Sequence, residues 1–364
     1  MKSSYKLRLT SLAIAFMGVF ATGCEKDFLV EQPVTTLTTD VYYKTEAGFE
    51  DLVRSCYPLL RNIHQNRILV LQGTDIFTAQ GGWNPSAVTG KENVPSLFDV
   101  YNAEFNANLA DIQRLWQLLY AEIARTNAVI TRASDITTMA PALKDARVSE
   151  AKFLRALCLF YAVQQWGDIP MPLAEVTAPS KDFPRVASAE VYKQIIADLL
   201  ECEAKLPVTA SNYGRIQRGS AQFLLSRVYL TRGWNFNNTL GGSNADFDLA
   251  LQYADKVIDA FPLAANYSDL FPKRSNNPLT QYTGAQNDKN PEIIFAVQYN
   301  SDVLTNKTDA AFTQDPAGGN DLHSKFGPSG EGFVGTKGRT SDYNRCLGIH
   351  QVTPAGYRFF DPDN

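Results

Sequence analysis

Between residues 46 and 261 the chain repeats one pattern six times. Apolar residues recur at three- and four-residue spacing, as on one face of an amphipathic helix. A chain patterned this way buries its apolar stripes helix against helix, so the expected fold is mainly α. The first stretch, 46–66, carries Phe49, Leu52, Val53, Cys56, Leu59 and Leu60, and Pro58 requires a bend or an early end. The second, 102–134, sets Leu109, Ile112, Leu115, Trp116, Leu119, Tyr120, Ile123 and Ile130 on or near one stripe. The third, 143–166, is apolar over most of its circumference, which predicts a buried helix. Gly167 and Pro170 stop it. Arg155 within it therefore needs an acidic or carbonyl partner, because an unpaired buried charge is costly. Ser188 is the expected cap of the fourth, which runs to Leu206 with Glu190 in its first turn. Stretches 219–232 and 247–261 close the series.

Helices in succession suggest an array, and the last pair supports one. Ala221 and Leu224 are followed by Ala250, Ala254, Val257 and Pro262, whose spacings of 4, 3 and 5 match the second half of a tetratricopeptide unit. Small residues there let two helices approach, and the Pro ends the second. The expected architecture is a tetratricopeptide-like helical repeat, an α-solenoid, with long irregular loops and a little β structure. Residues 30–45 are Thr-rich and read as an extended arm. Gly73–Val100 reads as a loop, Ile293–Tyr299 as a buried strand, and 300–364, rich in Gly, Asp, Ser and Asn, as loop.

The first residues read as an address. Lys2, Lys6 and Arg8 precede an apolar run, Ser11–Thr22, that is too short to span a bilayer and suits a signal peptide. It ends in Ala21-Thr22-Gly23-Cys24, which resembles a bacterial lipobox with Ala21 where Leu is usual. Cleavage before Cys24 leaves its thiol to carry lipid, and Glu25-Lys26-Asp27 resembles a surface-export signal. Losing residues 1–23 removes three positive charges and no negative ones, taking the net charge from −4 to −7. An acidic chain argues against a nucleic-acid footprint. Five cysteines are too few for a disulfide scaffold; Cys56, Cys158 and Cys202 fall on helices as small core hydrophobes, and Cys346 lies in a loop.

Glu150–Pro170, EAKFLRALCLFYAVQQWGDIP, closely resembles the signature of the SusD/RagB family of Bacteroidetes surface lipoproteins that bind nutrients. Other segments agree in the family's order: Asp27-Phe28-Leu29 with Pro33, Tyr42–Glu46, Trp116 through Asn127, Arg185 with Val191-Tyr192, Gly214–Leu230, and Asn290–Phe295. The resemblance implies a lipoprotein signal peptide over 1–23, a helical region over 24–300, and the start of the family's C-terminal region over 301–364. Family members run well past this length, so the chain reads as C-terminally incomplete. The resemblance also implies a non-enzymatic protein at the cell outer membrane. It would be anchored through Cys24 and would pass a glycan to a SusC-like TonB-dependent β-barrel transporter. A peptide ligand and a surface glycosidase are the alternatives.

The sequence offers no chemistry against that reading. Gly330–Gly335 spells a dinucleotide fingerprint but sits in apparent loop without a strand before it or a helix after it. His64, His323 and His350 are scattered, and no metal motif, cofactor motif or acid/base carboxylate pair stands out. Sugars present apolar C–H faces edged with hydroxyls, so a site for them needs an aromatic platform with amide, Asp or Arg groups around it. Trp83 and Asn84, beside Gly81-Gly82, are the first candidates, since the family also draws on an N-terminal loop. Arg67 and Asp75 are their companions, and Tyr282 and Tyr343, with Asn287 and Phe326, lie in later loops that complete a platform.

Overall fold

A computed structural model describes residues 38–65, 68–79, 97–102, 105–235, 237–266, 269–270, 289–299, 350–352 and 358. The chain divides into two units, Met1–Tyr42 and Tyr43–Asn364. In the first, Thr39–Tyr42 forms a helical turn, α1, where the sequence suggested extended chain. The Tyr42 N–H reaches the Thr38 carbonyl at 2.9 Å.

The second unit is helical. Thr45 caps α2 (Glu46–Ser55), its Oγ1 accepting the Gly48 N–H at 3.0 Å. Pro58 ends that helix early, as expected, and α3 (Leu59–Gln65) and α4 (Ile68–Leu71) follow. Two short elements interrupt the Gly73–Val100 stretch, β1 (Phe77–Ala79) and α5 (Leu97–Val100). The long α6 (Ala110–Arg132) begins eight residues later than its apolar pattern. Asn106 explains the delay: its side chain accepts the Asn108 N–H at 2.9 Å and holds a turn that competes with helix. A 3-10 turn, Ala133–Asp135, leads on to α7 (Pro141–Trp166), which has Pro in its first turn. Gly167 follows at φ +68°, a left-handed turn that suits glycine.

A two-residue ribbon, β2 (Ile169–Pro170) with β3 (Arg185–Val186), spans the next connection. The cap of α8 (Ser188–Lys205) is not Ser188 itself. Asp168, twenty residues upstream, accepts both the Ser188 N–H and its hydroxyl at 2.8 Å, and those bonds hold its carboxyl below the usual range. The final pair is α9 (Arg218–Gly233) and α10 (Ala245–Ala260).

From α6 onward each helix packs antiparallel on the one before it, as in a solenoid. The paired positions show the direction: Asn127 and Trp116 of α6 meet Arg155 and Trp166 of α7, and Asp145 and Arg155 of α7 meet Lys205 and Asp198 of α8. Between α9 and α10, Gly219 lies against Phe261 and Arg232 pairs with Asp246. The tetratricopeptide spacing is borne out: Ala221, Leu224, Ala250 and Val257 are buried, and Tyr229 stacks on Tyr253 at 5.8 Å.

The core runs along α7, whose Leu154, Ala156, Cys158, Leu159, Phe160 and Ala162 are closed to solvent. Arg155 finds both kinds of partner at once. Its guanidinium makes two bonds to Asp198 (2.8 and 2.9 Å), and its Nη1 donates to Asn127 Oδ1 (2.9 Å) and the Leu173 carbonyl (3.1 Å). Cys56, Cys158 and Cys202 are buried free thiols, each pushed up by burial.

Residues 293–299 are no strand. They form a half-buried extended strap whose carbonyls go to side chains: Ile294 accepts from Gln217 Nε2 (3.1 Å) and Gln298 from Arg61 Nε (2.7 Å). Phe295 meets Phe153 edge-on at 6.1 Å. Within the region read as loop, β4 (His350–Val352) pairs antiparallel with β1.

Candidate functional site

The stretch between α4 and α6 is drawn together at its base by Asp99 of α5. Its Oδ1 accepts the Gly73 N–H and its Oδ2 the Thr78 hydroxyl, each at 2.9 Å. The Tyr101 hydroxyl donates to the Gly73 carbonyl at 3.0 Å. Gly73 has φ +75°, and a Cβ there would overlap the Phe98 carbonyl, so this approach requires glycine. Phe98, Tyr101 and Phe105 pack edge-on below it, at 5.4 and 5.5 Å.

Above that base the chain enters a three-rung ribbon, Phe77↔Val352, Thr78↔Gln351 and Ala79↔His350. Because the pairing is antiparallel, the chain leaving Ala79 and the chain arriving at His350 meet the same end of the ribbon. Trp83 and Asn84 are four and five residues beyond Ala79, and Tyr343 is seven residues before His350. Asp75 is exposed in the turn between α4 and β1. Cys24, Arg67, Trp83, Asn84, Tyr282 and Tyr343 lie outside the described residues, as do Asn287, Phe326 and Gly330–Gly335. Of the candidate residues, Asp75 lies among the described ones.

A second constellation lies where α2, α7 and the strap converge. Arg147 and Arg215 each bridge Glu50 and Glu150, closing a ring of two carboxylates and two guanidiniums. Arg147 reaches Glu150 at 2.8 Å; Arg215 reaches Glu150 at 2.7 Å and Glu50 at 2.9 Å. The Tyr57 hydroxyl donates to Glu150 at 2.6 Å, and burial together with that carboxylate pushes its titration well up. Burial opposes the charge on Arg147, but the bonds and charges of Glu50 and Glu150 outweigh it and the net direction is up. This ring lines a cavity of about 390 Å³ shared with Arg54, Asn212, Tyr213, Gly214 and Gln298. Its charges are matched within the ring, so its chemistry is to tie α2, α7 and the 212–217 turn together.

Among the described residues no group of His, Cys, Asp and Glu has the arrangement of a metal site. His64 sits edge-on to Tyr161 at 6.0 Å, and His350 lies in β4. No helix among those residues is long and apolar enough to cross a membrane. Sequence reasoning missed Asp99, Tyr101 and the β1–β4 ribbon. The available signal was an acid following Leu97-Phe98 inside a stretch otherwise poor in pattern.

Known proteins resemble this chain over much of its length. Residues 27–230 match a SusD-like family model described as starch-binding and associating with the outer membrane. The SusD-like protein P25 of Formosa agariphila is 22% identical over 343 residues, 88% of this chain and 59% of that protein. A SusD homolog from Bacteroides thetaiotaomicron superposes with TM-score 0.54 at 22% identity, covering 65% of this chain and 45% of that one. A laminarin-binding SusD-like protein superposes with TM-score 0.50 at 25% identity, covering 62% and 46%. The chain thus spans about half the length of the relatives it matches.

Proposed function

Because the chain belongs to the SusD-like family of starch-binding proteins that associate with the outer membrane, we propose that it is a surface lipoprotein that captures an oligo- or polysaccharide. In this reading residues 1–23 are removed and Cys24 carries the lipid. The helical region 24–300 is the rigid frame, and 301–364 opens the family's C-terminal region. Trp83 is the platform for the sugar's apolar face, with Asn84, Asp75 and Arg67 taking its hydroxyls. Tyr282 and Tyr343 complete the platform. The protein does no chemistry on the glycan; it holds it as a lid over a SusC-like TonB-dependent transporter, to which it delivers it.

The observation that carries this reading is the β1–β4 ribbon on its Asp99-tied base. It fixes on a helical frame the point from which both the Trp83 and the Tyr343 segments depart, and a binding site built on loops needs such a rigid support. The laminarin-binding neighbour lends the ligand class. Isothermal titration of the purified chain against panels of glycans and peptides tests the proposal. Trp83→Ala is expected to weaken glycan binding at least tenfold, roughly the loss of one good stacking contact, with the helical circular dichroism unchanged. Peptide-only binding, or new reducing ends released from the glycan, would overturn it.

A further inference from the structure

Arg215 and Tyr213, which border the carboxylate–guanidinium ring, also border a second cavity, of about 510 Å³. Its walls come from the 208–217 connection, the first turns of α9, the end of α10 at Ala260 and Phe261, and the strap from Lys289 to Ala296. That volume lies within the roughly 300–1,000 Å³ of small-molecule sites.

The cavity is braced by its own walls. Gln217 pins the strap to α9, its Nε2 donating to the Ile294 carbonyl at 3.1 Å and its Oε1 accepting the Ala210 N–H at 3.3 Å. The Arg218 N–H reaches the Pro207 carbonyl at 2.9 Å and closes the connection on itself. Gly219, where a Cβ would overlap the Phe261 ring, lets α9 meet the end of α10.

The charge around it is one-sided. Its described lining holds Arg215, Arg218 and Lys289 and no acid. Arg215 is spent on Glu50 and Glu150. The other two are not. Arg218 makes one long bond, Nη2 to the Leu206 carbonyl at 3.4 Å, and its buried Nε has no partner among the described residues. Lys289 is exposed, lies over the Tyr213 ring at 5.8 Å, and makes no ion pair among the described residues. The described acids beside the cavity face elsewhere. Glu292 accepts the Ala264 N–H at 2.7 Å, and Glu203, beyond Gln222, holds Lys256 and the Tyr253 hydroxyl. A half-buried guanidinium with one long bond costs free energy that an anion in the cavity would recover. Beside the two cations the wall carries the amides of Asn212 and Asn290 and the apolar surface of Phe261, Ile293 and Phe295.

We propose that this cavity binds a carboxylated sugar, a uronate unit. Its carboxylate meets the Arg218 guanidinium, whose planar fork suits it, and Lys289 adds a second positive charge. The amides take ring hydroxyls, and the apolar wall takes the C–H face. None of these residues belongs to the Trp83 platform. The charge of the ligand follows from the cavity alone; that a sugar carries it rests on the glycan reading above.

The test is isothermal titration of the purified chain with digalacturonate, with its dimethyl ester, which has the same rings and no charge, and with sodium sulfate. Digalacturonate is expected to bind roughly tenfold or more tighter than the ester, with the difference shrinking as salt rises. Arg218→Gln and, separately, Lys289→Gln are expected to remove that preference, and Trp83→Ala to keep it. Lys289 is exposed, so its variant reads the site even where Arg218→Gln unfolds the chain. No binding of digalacturonate, equal affinity for acid and ester, sulfate bound as tightly as digalacturonate, or a preference that survives both glutamine variants overturns the inference. A chain that binds neutral glycans through Trp83 without favouring the acid loses this site and keeps the platform. One that binds digalacturonate through Arg218 and no glycan through Trp83 loses the platform and keeps this site.

Discussion

Asp198→Ala is the sharpest test of how the helical frame is held. Arg155 and Asp198 have side chains only 4% and 3% exposed, so solvent cannot replace a lost partner. Removing the carboxylate cuts both guanidinium–carboxylate bonds, of 2.8 and 2.9 Å, and leaves Nη1 on Asn127 and the Leu173 carbonyl. Breaking a buried pair from one side costs about 3–5 kcal/mol, because a charge stays behind unpaired. Asp51→Ala provides the scale. It breaks the Arg54–Asp51 pair, whose side chains are 65% and 50% exposed, and an exposed i,i+3 pair costs below about 0.5 kcal/mol. Chemical denaturation followed by circular dichroism should therefore separate the two variants by several kcal/mol. The double variant Arg155→Met/Asp198→Leu should recover most of the loss, since it removes both charges. An Asp198→Ala cost under about 1 kcal/mol, or a double variant no better than the single, would refute the argument that this pair ties α6, α7 and α8.

Other positions give further expectations. Glu122 is wholly buried, neither of its carboxylate oxygens has a hydrogen-bond partner among the described residues, and burial raises its pKa well above 4.5 despite Arg125 nearby. The folded state thus keeps a proton that the unfolded chain releases, and this contribution is lost as pH rises above the ordinary carboxylate range. Relative to wild type, Glu122→Gln should gain up to about 1.4 kcal/mol per pH unit through that window, read from denaturation midpoints between pH 5 and 8. Gly214 has φ +88°, and a Cβ there would come 2.5 Å from Gln298 Cγ. Gly214→Ala should cost about 1–3 kcal/mol and speed proteolysis of the strap. Asp99→Ala should leave the melting of the helices within about 1 kcal/mol while increasing hydrogen exchange at Gly73 and Phe77–Ala79. Buried Cys56, Cys158 and Cys202 should react with a thiol reagent only on unfolding.

Where side chains alone decide an element, the sequence was readable. The third apolar stretch became α7 because its apolar residues leave little of its surface free, and Gly167 with Pro170 ends it unambiguously. Arg155 announced its own partners, since a charge at that position has no other way to be buried. The start of α6 was not readable: Leu109 keeps the helical period, but Asn106 satisfies the backbone locally in a turn. Ile293–Tyr299 looked like a strand because an apolar run does not say what its carbonyls bond to, and here they bond to Arg61 and Gln217. His350–Val352 is too short to show an alternating period, and its pairing depends on a partner far away in the chain. Of the candidate site, the sequence named the residues, and the structure describes Asp75 and the β1–β4 ribbon. The two meet at Asp75 and at the ribbon.

That ribbon has a consequence for the order in which the molecule assembles. Ala79 and His350 are 271 residues apart, and closing so long a loop costs several kcal/mol of chain entropy, more than three rungs return. The helices have no such handicap, since each meets its sequence neighbour. Once the strap is seated, with Arg61 on the Gln298 carbonyl and over the Tyr299 ring at 5.3 Å, the problem shrinks. What remains to close is the 51 residues from Tyr299 to His350 and the 18 from Arg61 to Ala79, a saving of about 1.2 kcal/mol. The ribbon is therefore a late event that waits on the strap, formed only after the helical frame is built.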